Sequence, residues 1–117
     1  MSVDVGEERF RELVREGIDG LPDWVLEAMD NVEIMVEASP PADQPTLLGL
    51  YEGIPLTRRG FSYGGALPDR ISLFRSTLQA VSASEEDLRT RVRHTVAHEI
   101  AHHFGISDDR LREIDAY

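Results

Sequence analysis

The sequence contains no cysteine, which excludes disulfide bonds and any metal site built from thiolates. Basic residues are scarce: 12 Lys and Arg stand against 22 Asp and Glu, and the formal net charge is -10. This balance argues against nucleic acid or an anionic membrane as a partner, because both are bound through basic surfaces. Long apolar runs are absent, and the first residues lack the basic and apolar segments of a secretory signal. We therefore expect a soluble, cytoplasmic protein.

The length of 117 residues and the 41% hydrophobic content fit one globular domain over residues 1–117. Apolar residues at helical spacing predict a first helix over 7–19. Pro22 suits the first turn of a second helix, where its missing N–H costs nothing. A long helix is predicted from about 85 to 103, followed by a short one over roughly 108–115. Ser84, followed by three acidic residues, resembles a capping box at the start of the long helix. Its half from His94 to Phe104 is largely apolar apart from the histidines, Thr95 and Glu99, and we expect this half to be buried.

Three strands are predicted between the helices. Apolar and polar residues alternate over 32–38, which is typical of a half-buried strand. Apolar stretches at 47–52 and 70–74 predict two more strands. The glycine-containing polar segment 57–68 is a long loop, and a loop of this length in a small domain is more often functional than incidental.

The most informative segment lies in the second half of the long helix, where His98, Glu99 and His102 form an H-E-x-x-H motif. Residues four apart lie one turn apart on the same helix face, so both imidazoles can reach one ion. A catalytic zinc site uses three protein ligands and one open position for water. Glu99 is placed to accept a proton from that water.

A third ligand is expected shortly after the helix. Gly105 can adopt a positive φ, which would end the helix and turn the chain back. Asp108 follows on the returning segment and is the natural third ligand, since carboxylate oxygen binds zinc at a distance similar to imidazole. Asp109 competes for this role, because the geometry of the turn cannot be read from sequence.

Other polar residues near the motif are open to two interpretations. His94 lies one turn before His98 and is either an outer partner of the metal site or a structural histidine. His103 is rotated about 140° from His98 around the helix and is not expected to be a ligand. Tyr63 and Tyr117 could each donate a hydrogen bond to a substrate oxyanion, although packing or surface roles are favoured for both.

The segment from His98 to Asp108 resembles the extended motif H-E-x-x-H-x-x-G-x-x-D of the zincin metallopeptidases. Together with 48–56, 67–71 and 96–105, it is similar to a bacterial family of minimal zincin-like domains. The resemblance implies an α+β fold with a small mixed sheet packed on the active-site helix, and an edge strand that pairs with an extended peptide. Residues 70–74 are the candidate for that edge. The resemblance also implies that His98, His102 and Asp108 bind Zn2+ and that Glu99 is the general base.

Two functions remain open at this level. The first is a zinc-dependent peptidase, in which Glu99 activates a zinc-bound water that attacks a peptide or protein substrate. The second is a catalytically weak or inactive zinc-binding domain that serves as a structural or protein-interaction module. The presence of Glu99 favours the enzyme, because a purely structural zinc needs four closed ligands and no neighbouring base.

Overall fold

The computed structural model of the chain describes residues 2–53 and 69–105. Along these ranges the elements are α1 (Glu7–Asp19), α2 (Asp23–Ala28), β1 (Val32–Glu37), β2 (Gly49–Glu52), β3 (Asp69–Phe74), α3 (Arg75–Ala80) and α4 (Glu85–His103). They form an α+β fold with a small mixed sheet against a long helix, which confirms the expected fold class. The predicted loop 57–68 and the predicted short helix 108–115 lie outside the described residues. No helix in the two ranges is long and apolar enough to cross a bilayer.

The helix boundaries follow from the local sequence. α1 carries Glu7 and Glu8 in its first turn, where negative charge interacts favourably with the helix dipole. It ends at Gly20, whose N–H donates to the carbonyl of Gly17 at 3.2 Å. Pro22 is the N-cap of α2, with an extended ψ of 151°, so that helix begins one residue later than expected.

The sheet has the strand order β1-β3-β2. β1 runs parallel to β3, with Ile34 opposite Ile71, and β2 runs antiparallel to β3, with Leu50 opposite Ser72. β3 is therefore the central strand, and the prediction that residues 70–74 form the exposed edge is wrong. In the described part of the chain the edges are β1 and β2.

The central position of β3 has a physical reason in its sequence. Ile71 and Leu73 point to one face and Ser72 and Phe74 to the other, yet all four are at most 5% exposed. A continuous buried run is typical of a strand that is covered on both faces. β2 instead takes the edge position next to α4, and its last residue, Glu52, is exposed.

The core lies between the sheet, α1 and α4. On α4 a single stripe of side chains at intervals of four residues is fully buried: Leu88, Val92, Val96 and Ile100. The expectation that the whole helical half from His94 to Phe104 is buried is wrong. His94 and residues 102–105 are exposed, and Phe104 is 57% exposed. The apolar residues occupy one stripe, so the imidazoles lie on faces that reach solvent.

Candidate metal centre

The helix that carries the motif is fixed at its first turn. The Oγ of Ser84 accepts a hydrogen bond from the N–H of Asp87 at 3.1 Å, and the Asp87 carboxylate accepts one from the N–H of Ala83 at 2.9 Å. The bond from Ala83, together with the nearby guanidinium of Arg91, holds the pKa of Asp87 below its ordinary value. The predicted capping box is present in a variant form: the Asp87 carboxylate accepts from the N–H of Ala83, the residue before the cap, and not from that of Ser84. α4 then continues without a break to His103.

His98 and His102 lie one turn apart near the end of α4. Their ring centroids are 5.2 Å apart and the rings meet edge to face at 76°. His98 is half-buried and His102 is exposed. Rings at this separation can each direct a nitrogen to one ion at the distance of about 2.0–2.1 Å that zinc requires. The pair therefore fits a zinc ion as two of its ligands.

No complete set of metal ligands lies within the described residues. Within 2–53 and 69–105, no group of three His, Asp or Glu side chains is arranged to hold a metal ion. A catalytic zinc needs three protein ligands, so a site on His98 and His102 needs a donor from elsewhere in the chain. Asp108 and its competitor Asp109 both lie outside the described residues, as do Tyr63 and Tyr117.

The turn that leads towards Asp108 begins as the sequence predicts. Gly105 has a φ of +77°, a conformation that glycine adopts without strain. Its N–H donates to the carbonyl of His102 at 3.1 Å, and the N–H of Phe104 donates to the carbonyl of Ile100 at 3.1 Å. These bonds end α4 at His103, one residue after His102.

Glu99 is held against the sheet. One oxygen of its half-buried carboxylate, Oε1, accepts a hydrogen bond from the N–H of Tyr51 at 2.9 Å. Phe74 donates its N–H to the carbonyl of Leu48, which makes those two a hydrogen-bonded pair of the antiparallel ladder. Because such pairs alternate, the N–H and carbonyl of Tyr51 point away from β3. The Glu99 carboxylate therefore lies beside the edge of β2 that faces away from β3.

The side chain of Tyr51 ties the same strand to the end of α4. Its ring stacks on the imidazole of His103, with centroids 4.0 Å apart and an interplanar angle of 17°. Its hydroxyl donates to the Asp69 carboxylate at 2.7 Å. Tyr51 and Asp69 thus connect the end of β2 to α4 and β3, and the sequence pattern predicts neither contact. The predicted strand 47–52 includes Tyr51, but no sequence pattern predicts that it contacts Glu99, a helical residue 48 positions away.

An open cleft of about 320 Å³ runs beside the motif, with residues 46–49 on one side and α4 on the other. His94, Thr95, His98 and Glu99 form the helical wall. Strand and helix are in close contact here, because a Cβ added to Gly49 would lie 2.7 Å from the Thr95 Cγ2. His94 is largely exposed. Partial burial of its imidazole lowers its pKa, and the positive charge of Arg93 lowers the pKa further.

Comparisons with known proteins agree with this architecture. A family model described as "Zincin-like metallopeptidase" matches residues 29–117 of the chain. The solved structure of a conserved hypothetical protein from Thermus thermophilus is similar to it, with a TM-score of 0.55 and 25% sequence identity. That similarity covers 86% of this chain and 94% of the other. No curated protein matches the sequence significantly.

Proposed function

The chain belongs to the zincin-like metallopeptidases, and from this premise we propose that it is a zinc-dependent peptidase whose general base is Glu99. One observation carries the proposal. On a single turn of α4, two imidazoles lie 5.2 Å apart, and the carboxylate between them in sequence is hydrogen bonded to the edge strand at 2.9 Å. A base beside two metal-ligand side chains serves hydrolysis, whereas a structural zinc site has no use for one.

We assign the ligand roles to His98, His102 and Asp108. Neutral imidazole and carboxylate oxygen form a donor set that suits zinc. When bound, zinc polarises the scissile carbonyl and lowers the pKa of the attacking water towards about 7. The family membership supports a metal of this kind. The identity of the third ligand rests on the position of Gly105, which ends the helix three residues before Asp108.

Glu99 supplies the proton transfers. Its Oε1 is held by the N–H of Tyr51, so we assign Oε2 to the water. In the proposed reaction this oxygen accepts a proton from the water as it attacks the peptide carbonyl. The same carboxyl group then delivers that proton to the amine that leaves. The hydrogen bond from Tyr51 fixes the carboxylate, which limits the reorganisation needed at each transfer.

We propose that the substrate is an extended peptide that pairs with β2. Gly49 and Tyr51 occupy non-hydrogen-bonded positions opposite β3, so their backbone groups point outwards along this edge. The N–H of Tyr51 donates to Glu99, so we assign the N–H and carbonyl of Gly49 to the peptide. Strand addition to such an edge supplies main-chain hydrogen bonds independent of the substrate sequence. β2 takes the role first expected of residues 70–74, and it lies beside Glu99.

The proposal is tested by replacing Glu99 with glutamine. We expect the zinc-loaded wild-type protein to cleave members of a peptide library, and Glu99→Gln to lose at least about 100-fold in kcat/KM, since general acid-base catalysis contributes this much or more. Zinc content should stay the same. Glu86→Gln is the matched control, because it makes the same change at an exposed position of the same helix. Equal turnover by wild type and Glu99→Gln would reject the mechanism.

A further inference from the structure

A groove lies at the sheet edge opposite the proposed metal centre, between α1 and β1. It has a volume of about 260 Å³, and its walls are Arg11, Val14, Arg15 and Ile18 of α1 with Ile34 and Val36 of β1. In the described part of the chain no strand pairs with this side of β1. β3 and β2 separate the groove from Glu99, so an occupant here leaves the β2 edge open.

The main chain of Ile34 and Val36 points outwards along the β1 edge. The N–H of Asp69 donates to the carbonyl of Asn31, so the polar main-chain groups of Asn31 face β3 in the parallel ladder. Alternate residues of a strand direct their N–H and carbonyl groups to opposite sides. Those of Ile34 and Val36, an odd number of residues further on, therefore face away from β3. An extended chain beside β1 finds donors and acceptors there at the spacing that strand addition needs.

The face of this edge that adjoins α1 is apolar with a basic rim. Ile34 and Val36 lie on it half-buried, and the exposed side chains of Arg11 and Arg15 stand at the opposite wall of the groove. Arg11 pairs with Glu7 at 3.1 Å, but the two side chains are 50% and 64% exposed, and such a pair contributes little. Arg15 forms no ion pair within the described residues. A carboxylate that enters the groove gains a guanidinium partner.

The opposite face of the same strand is acidic. Glu33 and Glu37 lie on it and are exposed, and Arg70 of β3 lies opposite Glu33 on the inner side. These carboxylates disfavour a second copy of the chain as the occupant. In the antiparallel register that pairs Ile34 with Val36 of a second copy, Glu33 lies directly opposite Glu37 of that copy, and like charges in this position are destabilising. The net charge of -10 on each copy adds to the repulsion.

We propose that the β1 edge is a docking site for an extended segment of a partner protein that carries acidic and basic side chains on opposite faces. The segment pairs its main chain with β1, directs apolar and acidic side chains to α1, and directs Lys or Arg side chains to the face of Glu33 and Glu37. Since the side chains of a strand alternate between faces, acidic or apolar residues alternate with basic or polar ones in such a partner. The site is independent of the proposed peptidase function, because it shares no residue with the proposed metal centre.

The test uses two labelled eight-residue peptides of identical composition. In the first, glutamate and valine fill the odd positions, and lysine and threonine fill the even ones. In the second, two glutamates and then two lysines fill the odd positions, and valine and threonine fill the even ones. We expect the wild-type protein to bind the first peptide at least about tenfold more tightly in fluorescence anisotropy.

A double variant locates the binding at this edge. Arg15→Glu combined with Glu37→Lys leaves the net charge unchanged but mixes the charges on both faces of the site. It should bind the second peptide more tightly than the wild type does, a gain that loss of folding cannot produce. A wild-type protein that binds neither peptide or does not prefer the first, or a double variant with the wild-type preference, overturns the docking site.

The main-chain pairing is tested with the first peptide methylated on its backbone nitrogens, at either the odd or the even positions. A strand added to β1 directs only alternate N–H groups to it. One of the two methylated forms should therefore bind at least about tenfold more weakly than the other, since it lacks the donors that face β1. Equal affinities of the two forms overturn the strand addition.

Discussion

The contact between β2 and α4 can be tested by adding one methyl group at Gly49. A Cβ at this position would lie 2.7 Å from the Cγ2 of Thr95 and 3.1 Å from the carbonyl oxygen of Ser72, where ordinary contacts are 3.4–4 Å. Thr95 is β-branched and stiff at χ1, so it cannot retreat freely. Gly49→Ala therefore overpacks the contact, which typically costs about 1–3 kcal/mol of unfolding free energy. For a chain of this size we expect the melting temperature to fall by about 4–12 °C.

Catalysis should suffer in the same variant, because the strand that shifts also holds Glu99. The N–H of Tyr51, two residues along β2, donates to the Glu99 carboxylate. Displacement of a positioned catalytic group by about 1 Å can cost about 100-fold in rate. We expect kcat/KM in peptide cleavage to fall by about 10–100-fold at a temperature where Gly49→Ala is still folded.

The assay is unfolding in denaturant followed by the fluorescence of Trp24, which is the single tryptophan and packs against the core. Gly53→Ala is the matched control, since its Cβ would meet its nearest neighbours at 3.7 and 3.9 Å. Thr95→Ser removes the clashing methyl group and should recover part of the stability when combined with Gly49→Ala. If Gly49→Ala is as stable as wild type, or if Thr95→Ser restores nothing, the reasoning about this contact is refuted.

Three further predictions concern the helix ends and the ion pairs. Ser84→Ala removes the N-cap of α4 and should cost about 1 kcal/mol in denaturant unfolding, while Ser84→Gly costs less. Gly105→Ala forces a non-glycine residue into a φ of +77° and should cost about 1–2 kcal/mol, with weaker zinc binding in chelator competition. The hydrogen bond from Arg9 holds the pKa of Glu85 below 4.5, so the folded state binds fewer protons than the unfolded state. This contribution is complete above pH 4.5 and is lost as the pH falls through the lowered pKa, and melting curves of Glu85→Gln should show a flatter acid dependence than wild type.

The parts of the fold that depend on local sequence could be predicted. The limits of α4 at residues 85 and 103 followed from the cap at Ser84 and the glycine at 105, and both features are present. The spacing of His98 and His102 on one face followed from helix geometry alone. These features involve residues a few positions apart, where backbone geometry leaves few alternatives.

Features that depend on pairing between distant segments could not be predicted in the same way. The strand order β1-β3-β2 is set by contacts between strands up to about 40 residues apart, so residues 70–74 were misplaced at the edge. The hydrogen bond from Tyr51 to Glu99 uses a backbone N–H, which any non-proline residue carries and no sequence pattern marks. Burial of Ser72 and Phe74 on the second face of β3 is visible only in the structure, because a serine in the strand does not indicate a buried face.

The proposed function depends most on one metal ion held by two imidazoles of α4 and a carboxylate after Gly105. Zinc content and affinity, measured by chelator competition, test this directly. We expect one zinc per chain in the wild-type protein and an affinity at least about 100-fold weaker in His98→Ala and in Asp108→Ala. His103→Ala removes the neighbouring imidazole, which stacks on Tyr51, and this variant should bind zinc as the wild type does. Wild-type affinity in His98→Ala, or a wild-type protein that binds no zinc, would contradict the proposed zinc site.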